Sequence, residues 1–588
     1  MAQSNSNSSS TPQPPSSTGK PKLKPTLSTK LPPFNDAAND ADDEDSSDRT
    51  KLLDKTRSLS MAKRGPSNYE EACSIWNMGW KVSLATFCRI SLSSISAAFL
   101  GHLGSDALAA SALAMIWTNG VQILIFGFAV SLCTMCGQAY GAKNFELVGI
   151  WLQLGLIFLT LFSIPVMISF FYVDHLLSFV TDDLEVLHLA DTYARYLVPT
   201  VLPQAVYCAL RQYLQAQEIV TPATIISILS VGVCLVSNYV FIYGFGPIPA
   251  LHFVGSPIAQ CVASIFQPVA LYVYAFWYKG YHKKTWYGFK VEECLQWERV
   301  KYFISLSLGM TLNLALDEWV YNAVSSLAGS MGAMNLAANS VMFNLWGLVF
   351  AIYWGFGLPT QVRAANFLGA NEPALAQQTL RVGFVLGGIA AALSALFVFI
   401  FRHWIISVFT PDLEVAAIIN HTLPVFCLAV FVSGLHIILA AVVEAMSLAS
   451  TLVRITCTGS WLVLLPSSYL LGVVWDGGLQ GLWWGSVLGE GTKFVLMAYA
   501  LLRIDWTEMA LRAVKQSEGN VLDEQEMEED VEFRASFMSA TTPTMSGRSP
   551  VVTIFSAPQQ VHHHRKDQRG SDMEEGVKFR SLSYGTTE

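Results

Sequence analysis

Between residues 76 and 502 the chain is a succession of apolar runs, each of the length that a lipid bilayer demands. A hydrocarbon core takes ~20 apolar residues per helix. Runs of that size stand at 76–100, 107–133, 147–171, 187–212, 221–243 and 254–278, and again at 302–328, 335–360, 379–401, 415–445, 452–474 and 479–502. In lipid every backbone N–H and C=O must find a partner within the chain, so such runs are read as helices. The reading is an all-α integral membrane protein with twelve transmembrane helices. Composition agrees: 14% of residues are charged, against roughly a quarter in soluble domains. Mean hydropathy is +0.41 even though two polar ends are averaged in. An ordinary soluble enzyme and a wholly disordered chain are both excluded. A net charge of -8 argues against a nucleic-acid binder, which carries a basic face.

The polar ends read differently. Residues 1–72 are rich in Ser, Pro, Thr, Asn and Asp, and 506–588 hold a second acidic cluster and the tract His562-His563-His564. Neither can bury enough apolar surface to fold alone, so both are expected to be disordered cytoplasmic tails. The first lacks the apolar core of a signal peptide. The His tract could hold a metal or be a solvated run. The expected order is then a six-helix bundle over 73–278, a cytoplasmic linker over 279–300 and a second bundle over 301–505.

The charges between spans support the count. Lys143, Arg211, Lys279, Lys283, Lys284, Lys290, Arg299, Lys301, Arg363, Arg381 and Arg454 fall on one side. Asp106, Asp174, Asp182, Asp183, Asp412 and Asp476 fall on the other, with Arg195 and Arg402. The positive-inside rule places the first side, and both termini, in the cytoplasm. One missed helix would reverse the second half. No cysteine falls in an outer loop, so no disulfide is expected. Cys133 and Cys136 form a CxxC at a span end without a second ligand pair, which suits packing better than zinc or redox chemistry.

The chain also repeats itself. Leu103-Gly104-Ser105-Asp106-Ala107-Leu108-Ala109-Ala110 is similar to Met331-Gly332-Ala333-Met334-Asn335-Leu336-Ala337-Ala338, at an offset of 228. Gly141-Ala142 maps to Gly369-Ala370 at the same offset, and Thr181-Asp182-Asp183-Leu184-Glu185-Val186 maps to Thr410-Pro411-Asp412-Leu413-Glu414-Val415 at 229. Six helices per half is an even number, so the halves enter the membrane in the same sense. They are then related by a pseudo-two-fold axis along the membrane normal. A cleft between two such halves suits alternating access better than a fixed pore.

Several strings carry a family resemblance. Gly101-His102-Leu103-Gly104, Leu108-Ala109-Ala110 and Cys136-Gly137-Gln138-Ala139-Tyr140-Gly141-Ala142 resemble the amino half of multidrug and toxic compound extrusion (MATE) transporters of eukaryotic type. Tyr213-Leu214-Gln215-Ala216-Gln217, Asn238-Tyr239-Val240-Phe241 and Arg363-Ala364-Ala365-Asn366-Phe367-Leu368-Gly369-Ala370 extend the likeness across residues 72–505. The resemblance implies two bundles of six helices and export of organic molecules against entry of protons or sodium. No His/Cys metal cluster, nucleophile elbow or phosphate loop stands out in the sequence, so no enzyme and no cofactor are expected.

Charges at mid-membrane are costly and usually face a cavity where they act. Asp317, near the middle of span 7, matches a family carboxylate in a Leu-Glu-Trp-Trp context and is the expected proton-coupling residue. Glu318 is next to it but about 100° round the helix, so the two cannot share a face; it is a substrate-binding candidate at the cavity edge, or else hydrogen-bonds between helices. Asn322 stands where many eukaryotic members have a second acid, and Ser433 aligns with an acid of span 10, so those two acids are missing. Glu444 is a second proton-coupling candidate; an ion pair with Arg454 is the alternative. Arg89 is the repeat equivalent of Asp317 with opposite charge; the two are a candidate pair across the cleft in one state, and the alternative is that Arg89 meets backbone carbonyls inside its own bundle. Asn119, Gln122, Asn238 and Asn344 are candidates to line the substrate path, or else hydrogen bonds between helices. Tyr321, Trp346 and Trp354 are candidate aromatic walls for a cation. The run Asp48-Arg49-Thr50-Lys51-Leu52-Leu53 resembles an acidic dileucine sorting signal, in which Asp48, Leu52 and Leu53 would meet a sorting adaptor.

The expected function is export of organic, cationic compounds in exchange for protons, by a monomer surrounded by lipid. A vacuolar or endolysosomal membrane and the plasma membrane both remain open. A lipid-linked oligosaccharide flippase of the same superfamily and a non-transporting receptor or scaffold are the alternatives.

Overall fold

The computed structural model describes residues 65–178, 184–247, 249–410 and 412–518. The sorting motif at Asp48, Leu52 and Leu53 and the tract at His562 lie outside them. Twelve long helical segments are seen among the described residues. In the first half they are α1 (Asn68–Gly101), α2 (Ser105–Gly141), α3 (Phe145–Ser169), α4 (Leu184–Leu197, continued as Val201–Ala216), α5 (Thr221–Tyr243) and α6 (Gly255–Leu271). In the second they are α7 (Trp297–Ser330), α8 (Ala333–Gly369), α9 (Pro373–Ile400), α10 (Leu413–Ala445), α11 (Ala449–Thr456, continued to Val474) and α12 (Gly478–Arg503). A further amphipathic helix, α13 (Trp506–Ser517), follows.

Nine of these are long and apolar enough to cross a membrane by composition alone. The three that fall short have physical reasons. α4 is broken at Val198–Thr200 by a tight turn containing Pro199. α7 carries Asp317 and Glu318, and α12 carries Glu490 and Lys493. Each has the length and register of a span, and each carries polar groups that lower its mean hydropathy.

The repeat is built into the backbone. α1 and α7 each have 34 residues, and α2 and α8 each have 37. Gly104 and Gly332 both take positive φ, 138° and 111°, where the chain turns into α2 and α8. Space is open beside both, but residues with a side chain rarely adopt such a φ, so glycine is the residue that permits the turn. Lys143 and Asn371, also 228 apart in sequence, share a left-handed conformation at the opposite end of the same helices. Two six-helix bundles result, related by a pseudo-two-fold axis.

The ends of α1 and α12 that lie nearest the chain termini define one side of the bundle, called here the termini side. There α2 and α8 cross, with Gly141 against the Asn366 backbone and Gly369 against the Gln138 backbone. Two flanking contacts repeat the symmetry: Gly355 of α8 against Ser83 of α1, and Gly127 of α2 against Thr311 of α7. Any Cβ at these glycines would push the helices apart. Ser131 and Ser307 complete the seam at 2.5 Å.

Candidate functional site

The contacts between halves run from this crossing up to Phe126 and Trp354, whose ring centroids lie 6.2 Å apart. Beyond that level, Gly120 of α2 and Gly347 of α8 have open space where a Cβ would stand. The halves are therefore sealed on the termini side and parted on the far side, leaving a cleft. A charge cluster reinforces the seal. Arg363 of α8 donates Nε to Glu71 Oε1 at 2.6 Å and Nη2 to Glu71 Oε2 at 2.5 Å. It donates Nη1 to Glu218 at 3.1 Å, and Thr379 donates to Glu71 at 2.7 Å. Glu71 and Glu218 belong to the first half; Arg363 and Thr379 belong to the second. The helix α13 lies over the same seam, with the Ser517 carbonyl accepting from Asn144 at 2.7 Å and Gln516 accepting from Tyr302 at 2.9 Å.

The second half encloses a cavity of about 90 Å³ between α7, α8, α10, α11 and α12. Asp317 opens into it. Its Oδ1 accepts from Lys493 Nζ at 2.7 Å and from the Ser460 hydroxyl at 2.9 Å. Lys493, with no exposed surface, also meets Glu490 at 2.6 Å. Tyr321 donates its hydroxyl to Glu490 Oε1 at 2.7 Å, and His436 faces Glu490 Oε2 at 3.3 Å. Glu444, Gln361 and Thr456 also line the cavity.

Local structure explains this placement. Residues Cys457–Leu464 of α11 form a wider π-helical turn, a feature often found at functional sites. That turn brings Ser460 to Asp317 and lets Trp461 donate to the Leu316 carbonyl at 3.0 Å. Gly459 in the same turn lies against the Lys493 stem, where a Cβ would collide with it. Glu490 and Lys493, three apart on α12, present both charges on one face.

The sequence candidates distribute as follows. Asp317, Tyr321, Trp346, Trp354 and Glu444 share the cavity. Trp346, Phe350 and Trp354 stack in succession along α8, at 5.2 and 5.7 Å. Glu318 is exposed and lies off the cavity lining, on the face of α7 that carries Ser307, Thr311 and Asn322. Ser307 and Thr311 touch α2, so that face continues into the cleft. Asn238 is fully buried and donates to Ser96 of α1 at 3.3 Å, a hydrogen bond between helices. Asn344 is exposed and donates to the Ser340 carbonyl within α8 at 2.8 Å. Asn119 is exposed and Gln122 half-buried, both on α2.

Arg89 does not pair with Asp317 in this structure. Its guanidinium lies over the Phe126 ring at 5.7 Å, at the floor of the cleft, while Asp317 is held by Lys493. The reason lies in how the helices meet. α1 packs on α8 and α7 packs on α2, so equivalent positions of α1 and α7 stand on opposite flanks of the axis. Lys493, Glu490 and His436 were not singled out from the sequence. A signal existed: an acid and a base three apart inside an apolar run of span 12.

The MatE family model matches residues 82–240 and again 310–470, more than half of the chain. The chain belongs to the MATE family. The two matches begin 228 residues apart, which is the offset of the internal repeat. An uncharacterized transporter of Schizosaccharomyces pombe is 29% identical over 413 residues, covering 69% of this chain and 75% of the relative. Multidrug and toxin extrusion protein 1 of Mus musculus is 26% identical over 450 residues, 76% of this chain and 78% of its own length. The crystal structure of the eukaryotic MATE transporter AtDTX14 superposes with a TM-score of 0.72 at 23% identity, covering 76% of this chain and 99% of that one. This MATE transporter is a multi-pass membrane protein of the multidrug and toxin extrusion type.

Proposed function

We propose that this chain exports organic, cationic compounds in exchange for protons by alternating access, with its termini side in the cytoplasm. The observation that carries the reading is Asp317, a mid-membrane carboxylate opening into a small, mainly apolar cavity of one half into which Gln361, Glu444 and Glu490 also reach. A cavity of about 90 Å³ holds a few waters, each taking roughly 30 Å³. Organic ligands need roughly 300 Å³ or more. The cavity therefore suits a proton and its waters, and the organic compound belongs in the cleft between halves.

The recorded hydrogen bonds of Asp317 go to Oδ1, which leaves Oδ2 to take the proton. Protonation removes the negative charge that holds Lys493 and loosens α7 from α12. Glu444, in the same cavity, receives the proton on its way to the cytoplasm. In the cleft, Glu318 and Asn322 from α7 and Asn119 from α2 are the groups a cation meets, with Arg89 at the floor. A proton entering across ~100 mV supplies about 2.3 kcal/mol. The cytoplasmic assignment rests on Lys143, Lys279, Lys283, Lys284 and Lys290, all in connections on the termini side. The membrane that houses the protein, vacuolar or plasma, is one that a tail adaptor would select.

In liposomes containing the purified protein, an imposed pH gradient should concentrate a fluorescent organic cation. Asp317→Asn should abolish concentration while leaving the melting temperature within a few degrees. Undiminished concentration by that variant would remove Asp317 from the coupling step.

A further inference from the structure

We infer that Lys493 sets the ion specificity of the site: its ammonium group is a built-in cation that fills the place between Asp317 and Glu490 which a sodium ion would otherwise take. The inference deepens the proton-antiport reading and rests on it.

The geometry is that of an occupied cation site. The ammonium group stands 2.7 Å from Asp317 Oδ1 and 2.6 Å from Glu490 Oε1. The Ser460 hydroxyl shares Asp317 Oδ1 and the Tyr321 hydroxyl shares Glu490 Oε1, so the two oxygens hold three donor groups through four contacts. Two carboxylates with flanking hydroxyls form an all-oxygen donor set, the kind that hard cations select. Here the cation is covalently tethered, and Lys493 has no surface through which to leave. The site is also built for it. Gly459 leaves room for the lysine stem, and the stem fills that room.

The titratable groups around the site come from three of the five packed elements. α7 supplies Asp317 and Tyr321, α10 supplies His436 and Glu444, and α12 supplies Glu490 and Lys493. α8 and α11 face it with neutral groups, among them Gln361, Thr456 and Ser460. With Lys493 in place, one carboxylate is neutralised by a resident charge. A proton can still add to Asp317 Oδ2, because it needs one lone pair and no coordination shell. A sodium ion needs several oxygens at once, and those oxygens are engaged by the lysine. Removing the ammonium leaves two facing carboxylates and a void, and that arrangement should take sodium. Lys493 is thus a positioning and specificity residue, which acts through the oxygens it occupies.

The test compares wild type, Lys493→Ala and Lys493→Arg in liposomes, each under an imposed pH gradient and an imposed sodium gradient. Binding of radioactive sodium to the purified proteins is measured alongside. Wild type and Lys493→Arg should respond to the pH gradient alone and bind no sodium. Lys493→Ala should gain sodium-driven accumulation and sodium binding, and adding Asp317→Asn should abolish the binding. If the alanine form does not fold, Lys493→Gln, which keeps the stem beside Gly459, takes its place under the same criteria. Sodium binding by wild type that Asp317→Asn removes, or a neutral variant that still responds to protons alone, overturns the inference. Should wild type accumulate substrate under neither gradient, the antiport reading fails, and the binding assay still decides the role of Lys493.

Discussion

Arg363 is held by Glu71 and Glu218 from the other half and is nine-tenths buried. Taking one member from a buried charge pair costs about 3–5 kcal/mol, because the remaining charge loses its partner. Glu71→Ala should therefore lower the melting temperature in detergent and loosen the termini side, whereas Glu218→Ala should do much less. Glu218 is 38% exposed against 1% for Glu71, so water can replace it. Equal melting temperatures for the two variants would show that the seal does not depend on Glu71. At this scale the sequence was partly legible. Asp317 and Glu444 were readable as isolated charges in apolar runs, and both line the cavity. Lys493 and Glu490 carried the same kind of signal in span 12, but the pairing of Lys493 with Asp317 was not legible, because the two stand 176 positions apart and only folding brings them together. Arg89 was assigned to Asp317 by symmetry alone, and symmetry joins equivalent residues only where they lie on the axis.

Among elements, the glycines of α2 and α8 decide how closely the halves approach. Gly127 meets Thr311, and Gly355 meets Ser83, backbone close to side chain. Leucine at either position should act as a wedge that keeps the termini side from closing. Both variants should fold, since each helix packs mainly within its own half, but should lose transport. Proteolysis or hydrogen exchange at Glu71 and Arg363 should increase in both. Unchanged exchange at that seam would contradict the packing account. Twelve segments and their order were legible because span length and loop charge are local properties. The π-helical turn in α11 was not, because it is selected by what Ser460, Trp461 and Gly459 touch on α7 and α12. The turn that breaks α4 had a visible marker in Pro199.

For the whole molecule, the repeat and the seam together describe a transporter caught with one side closed. Cys133 lies fully buried between halves, packed with Met78, Val82, Leu358 and Val362. In a variant that keeps only this cysteine, a membrane-impermeant maleimide applied from the termini side should react slowly. Reaction should quicken in the Gly355→Leu background, where that side cannot close, and a rate identical in both would argue against rigid-body opening there. Coupling is the central claim, and it can be read without imposing any proton gradient. Liposomes are loaded with an organic cation and a trapped pH indicator, then diluted into cation-free buffer with the membrane potential clamped. As the cation leaves through the protein, the interior should acidify, and Asp317→Asn should show neither the acidification nor the exchange. Cation exit through the wild-type protein with internal pH unchanged would contradict proton antiport through Asp317.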